Sequence, residues 1–159
     1  MVYTRRVKPE RQRSLISMIF SYGAQLAYVE ESRGVYELLS KSDRLFRYIN
    51  GRKSLILLRD DLSILQTYID IINICTPHSL EYHIDYTLNE KSYYVKKCTS
   101  IDLFDKTYSS LTKKNIIGSP LIIRIRALNE NFGEIGFKSD SFESTFSFPM
   151  SFSIEGKND

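Results

Sequence analysis

The chain has 159 residues, 42% of them hydrophobic and 26% charged, with a formal net charge of +3. That length suits one domain, or one domain with a helical appendage, and it can bury a core. So small a charge is no argument for nucleic-acid binding, and no apolar run approaches ~18 residues, which excludes a membrane-spanning helix.

Two cysteines, Cys75 and Cys98, stand apart from any close Cys/His grouping. A disulfide framework or a zinc site is therefore not expected, and a reducing compartment fits. Residues 1–13 are polar and basic, with Arg5, Arg6, Lys8, Arg11 and Arg13 against Glu10. They lack the apolar core of a signal peptide, so the expected address is the cytoplasm.

From Ser14 to Glu30 the apolar residues Leu15, Met18, Ile19, Tyr22, Leu26 and Val29 recur in steps of three and four. That spacing predicts a helix with one apolar seam. Ser32, Arg33 and Gly34 predict a turn. Val35, Leu38, Leu39, Leu45, Phe46 and Ile49 then predict a second amphipathic helix running back. A short link between two such helices makes an antiparallel hairpin. Two helices cover two seams poorly, so a second copy or another hairpin is expected to complete a four-helix bundle.

Asn50, Gly51 and Arg52 break the helix, and Ser54–Leu58 reads as a short strand. A third helix begins near Asp60 and Asp61, a pair read here as a solvated helix start suited to the helix dipole, and stops at Thr76-Pro77. Leu80–Tyr86 alternates as a half-buried strand, Asn89–Lys91 turns, and Tyr93–Val95 is extended. Ile101–Leu111 predicts a fourth helix. Pro120–Ala127 is a strand with Leu121, Ile123 and Ile125 on one face and Ile122, Arg124 and Arg126 on the other. Asn129–Gly133 turns it into a hairpin with Glu134–Lys138. Phe146–Ile154 alternates most clearly of all, and Pro149 marks it as an edge or bulged strand. The expected fold is α+β, with a helical hairpin over 1–50 followed by a sheet with helices on one face over 51–159.

Glu37–Ile72, read as ELLSKSDRLFRYI and then LILLRDDLSILQTYIDI, resembles the second dimerisation helix and domain junction of the LytS/YesM-type bacterial sensor histidine kinases. SLEYHIDY at 79–86 resembles that family's first long strand after the junction. The resemblance implies a dimerisation hairpin followed by a reduced ATPase-like α/β sandwich of the GHKL type.

It also shows what is missing. At the place of the phosphate-accepting histidine stands Ser17, in LISMIFS, and a hydroxyl has no near-neutral nitrogen to form a labile N–P bond. The chain's two histidines, His78 and His83, fall in a turn and on a strand, away from the helices. Where the family's nucleotide helix carries a Mg²⁺-binding asparagine, DLFDKTYSS has Lys106, and a charged lysine cannot coordinate the metal. The adenine-binding D-x-G-x-G turn corresponds to KSDSFES at 138–144, which has no glycine to let backbone approach a base. No lid segment precedes Phe146.

The implied protein is a non-enzymatic, cofactor-free, kinase-like module. It would bind a response regulator or a sensor kinase, as homodimer or heterodimer through residues 14–49. Candidate contact residues are Ser17, Ser21, Arg44 and Arg47 on the exposed helical surface, with Met18, Tyr22, Leu38 and Leu45 in the seam. Two other readings remain open: a phosphotransferase similar to the sporulation-relay protein, and a scaffold or small-ligand binder using the emptied nucleotide pocket.

Overall fold

The computed structural model describes residues 9–76, 79–86, 93–113 and 119–152. The chain divides into two compact units, Met1–Arg52 and Lys53–Asp159. Its class is α+β.

The first unit contains α1 (Pro9–Val29) and α2 (Arg33–Asn50). Pro9 opens α1, where its missing N–H is no loss. Between the helices the chain reverses at Glu31, whose φ of 57° is left-handed, while the Ser32 N–H donates to the Ala27 carbonyl at 2.8 Å and closes the end of α1. The reversal therefore falls before the expected Ser32–Gly34 turn, and Gly34 lies inside the first turn of α2.

In the second unit the order is β1 (Leu55–Leu57), α3 (Leu58–Cys75), β2 (Tyr82–Tyr86), β3 (Tyr93–Lys96), α4 (Thr99–Lys113), β4 (Leu121–Ala127), β5 (Phe132–Ser139) and β6 (Phe142–Phe152). The six strands form one mixed sheet in the order β1-β3-β6-β5-β4-β2. Among the described residues, only the β2/β4 pair is parallel. One face of the sheet is dry. Leu121, Ile123 and Ile125 of β4, Ile135 and Phe137 of β5, and Phe148 and Met150 of β6 are buried there. They pack under Leu62, Leu65 and Ile69 of α3 and Ile101, Phe104 and Leu111 of α4, which are also buried. The alternating strand patterns and the three- and four-residue helix steps are the sequence cause of this core.

Gly133 is fixed by close approach: a Cβ there would lie 2.5 Å from Cζ of the buried Phe148. Ahead of it, the Asn129 carboxamide oxygen accepts the N–H groups of Asn131 and Phe132 at 2.8 and 2.9 Å, an Asx turn that starts the hairpin.

Two expectations are corrected. Asp61 is not a solvated helix start. Its side chain is fully buried, and its carboxylate accepts the N–H of Cys98 at 2.9 Å and of Ser100 at 2.8 Å. The Ser100 hydroxyl donates back to the Asp61 carbonyl at 3.1 Å. The α3 start thus satisfies N–H groups at the α4 start that would otherwise be orphaned. Cys98, with a φ of 69°, turns the chain into that grip.

The second correction concerns β6, which is not an edge strand. It pairs with β5 over Phe142–Pro149 and with β3 over Met150–Phe152. Pro149 is tolerated because the Met150 N–H reaches the Asn131 carbonyl, making Phe132/Pro149 a pair whose own N–H is not needed by β5. The β3 ladder begins only one residue later.

Among the described residues, no helix is long and apolar enough to cross a membrane. His78 and the expected turn at 89–91 lie outside the described residues, as does Ile154.

Candidate functional site

The helical unit carries all eight expected contact residues. Its interior is small. Ala24 and Ala27 are buried on α1, and α2 buries no residue completely. Contacts between the helices run from Ser17 to Asp43, Phe20 to Phe46, Gly23 to Leu39 and Tyr28 to Tyr36, so the helices are antiparallel. At Gly23 a Cβ would sit 2.8 Å from the Leu39 methyl Cδ1, and this is what lets the two backbones approach. Phe20 and Phe46 meet edge to face at 6.1 Å, a favoured aromatic geometry.

Ser17, expected on the exposed surface, is half-buried. Its hydroxyl donates to Asp43 Oδ1 at 2.8 Å, and Arg47 Nε donates to Asp43 Oδ2 at 2.7 Å. The position that the resemblance assigns to a phosphate acceptor is therefore occupied by a serine bonded to a carboxylate. Ser21 is half-buried, Arg44 and Arg47 are exposed, and Leu38 and Leu45 are half-buried. Tyr22 is 62% exposed. The side chain of Met18 lies outside the described residues.

On α1 the described part of the predicted seam, from Ile19 to Val29, does not face α2. Ile19, Tyr22, Leu26 and Val29 are all exposed, and residues on the other side of the helix, Ser17, Phe20, Gly23 and Tyr28, make the contact. Periodicity identified the stripe correctly as apolar but did not indicate which side of α1 would face its neighbour.

In the second unit the positions of interest cluster on α4 and the β5–β6 tip. Lys106 is exposed. Asp105 accepts the Tyr68 hydroxyl at 2.8 Å. Burial first, and then this carboxylate, push the Tyr68 phenol up to about 12, so it is a neutral hydrogen-bond donor across the physiological range. Phe104 is the centre of an aromatic group: Tyr68 meets it edge-on at 6.2 Å, Tyr108 stacks at 5.5 Å and Phe137 lies at 6.1 Å. Thr107 and Ser144 share a hydroxyl–hydroxyl bond of 3.1 Å.

β5 passes into β6 through Asp140 and Ser141 alone, with Ser139 paired to Phe142. A two-residue link leaves no room for a glycine-rich turn and a lid. Between α3, α4 and the sheet, Leu62, Ser100, Leu103 and Phe148 line a small hollow of about 10 Å³, room for one water at most.

The open face of the sheet bears Arg124, Arg126 and Lys138. Each has a carboxylate within 4.0 Å, from Asp85, Glu134 and Glu143 respectively. A ladder of alternating sign offers no one-signed track for a phosphate backbone. A shallow groove of about 170 Å³ runs over Arg124, Gly136 and Thr145, below the usual size of a small-molecule site. No group of three or more His, Cys, Asp or Glu able to hold a metal occurs among the described residues. Both cysteines are free thiols.

In comparisons with known proteins, neither a family model nor a curated protein matches the chain.

Proposed function

We propose that the chain is a non-catalytic, histidine-kinase-like binding protein of two-component signalling, whose helical unit contacts a response regulator or a sensor kinase. The observation that carries this reading is the state of Ser17. A kinase-like hairpin needs an imidazole facing solvent there; this chain has a hydroxyl turned into Asp43. Lys106 at the metal-ligand position and the two-residue β5–β6 link support the same loss of phosphotransfer. The order of a helical hairpin followed by a mixed sheet with helices on one face supports the implied kinase-derived frame.

Mechanistically, the protein would compete. It offers a partner the helical surface of a kinase without a phosphate to pass on. Arg44 extends from α2 as an exposed cation, suited to steer an acidic face toward the hairpin, while Arg47 is exposed but ion-paired with Asp43. Calorimetric titration of response regulators and kinase hairpin domains from the source genome tests this. One of them is expected to bind, and Arg44→Glu to weaken that binding about ten-fold. Absence of binding to every regulator and kinase would contradict the reading.

A further inference from the structure

The reversal between α1 and α2 is tightly bonded. Glu31 turns the chain with a φ of 57°. The N–H groups of Glu30, Glu31 and Ser32 donate to the carbonyls of Leu26, Tyr28 and Ala27, and the Tyr36 N–H donates to the Ser32 carbonyl, all within 3.1 Å. These bonds hold both helix ends, and with them Tyr28 on the last turn of α1 and Tyr36 on the first turn of α2. The two rings meet with centroids 5.8 Å apart and planes tilted by 56°. Even so, Tyr28 is 73% exposed and Tyr36 40%. Both line an open hollow of about 700 Å³ at the end of the hairpin, within the size range of small-molecule sites. The exposed Val29 adds an apolar wall, and Glu31, Arg33 and Glu37 complete the polar part of the lining.

We propose that this hollow binds a small soluble molecule carrying a methylated ammonium group. A cation within about 6 Å of a ring centroid is attracted to the negative face of the ring. Two faces set at an angle hold a rounded cation from two sides, and the bonded turn orients them in advance. Charge selects the same sign. The lining has two carboxylates and one guanidinium. Arg33 Nε is paired with Glu37 Oε1 at 2.9 Å, so the excess charge of the lining is the carboxylate of Glu31. Because α1 ends where α2 begins, the two helix dipoles oppose each other and the side chains set the sign. Methylation matters because a bare ammonium gives up hydrogen bonds to water that aromatic faces do not return. A methylated one has few to lose, and its methyls suit Val29 and the rings. A free molecule fits better than a lipid headgroup, whose phosphate would lie close to Glu31 and its neighbour Glu30. Tyr28 lies roughly 16 Å along α1 from Ser17, so the site stands apart from the partner surface and does not depend on that reading.

Titration of choline with the full chain, followed through the choline methyl resonance, tests the proposal. Saturable binding at about 0.1–1 mM is expected, with the methyl signal moved upfield by the rings. The uncharged analogue 3,3-dimethylbutanol, with carbon in place of the nitrogen, should bind about ten-fold more weakly. Tyr36→Leu keeps an apolar side chain without a π-face, and Glu31→Gln keeps the shape without the charge. Each should weaken choline about five-fold. If Tyr36→Leu disturbs the helical circular dichroism, Tyr28→Leu, at the more exposed ring, decides. No saturable choline binding, equal affinity for the uncharged analogue, or unchanged affinity in the tyrosine variants overturns the assignment. So does sedimentation with phosphatidylcholine vesicles without binding of free choline, which would make the hollow a membrane contact.

Discussion

Phe137→Ala is expected to destabilise the second unit by about 4 kcal/mol, as deletion of a fully packed aromatic does. Phe137 has no exposed surface. It joins the sheet to α4 through Phe104 at 6.1 Å and continues to Phe146 at 6.2 Å. Removing the ring leaves a void that three elements must share, and rigid strands on either side of β5 limit how far it can collapse. Set against a total stability of roughly 5–15 kcal/mol for a domain, the loss should be plain in a urea titration, as a lower midpoint with an unchanged slope. A midpoint within error of the wild type would mean that the aromatic group is not the centre of this core.

Asp61→Ala is expected to cost about 3 kcal/mol although it removes only one small side chain. Two N–H groups, those of Cys98 and Ser100, donate to its carboxylate at 2.9 and 2.8 Å. Without it both lose their acceptor at the buried start of α4, and each orphaned donor costs about 1–3 kcal/mol. Asp61→Asn keeps one carbonyl oxygen and should recover about half of the loss. Asp60, its exposed neighbour, provides the contrast: Asp60→Ala should fall within about 0.5 kcal/mol of the wild type. Equal effects at 60 and 61 would contradict the burial of Asp61.

The contrast between those two aspartates shows where sequence reading stops. Elements governed by short repeats were legible. Leu121, Ile123 and Ile125 alternate and are fully buried, and Leu62, Leu65 and Ile69, which cover them from α3, recur in steps of three and four. The β5–β6 link was not placed: alternation is read only from Phe146, whereas β6 begins at Phe142 and the turn is Asp140 and Ser141. The burial of Asp61 could not be read, because its partners lie 37 and 39 residues away and local periodicity carries no information at that separation. Pro149 misled for the same reason: whether a strand is an edge depends on its neighbours, and β6 exchanges one for another near that residue.

The candidate site divides in a similar way. That Ser17 and Lys106 cannot do the chemistry of histidine and asparagine follows from their side chains alone. That Ser17 turns into Asp43 required the antiparallel pairing of α1 and α2. The apolar stripe of α1 was evident from its spacing, but its direction was not. Gly23, Ala24 and Ala27 allow the helices to approach closely on one side, so the bulkier Ile19, Tyr22, Leu26 and Val29 are left outside. In a two-helix unit both sides of a helix can be apolar, and only packing shows which one is occupied.

The central claim is that a kinase-like frame persists here without the means to hold a nucleotide. Equilibrium titration of the full chain with ATP and magnesium tests it most directly. The account predicts no saturable binding up to about 1 mM, a free energy weaker than about −4 kcal/mol. Saturable, magnesium-dependent binding in the micromolar range would contradict it.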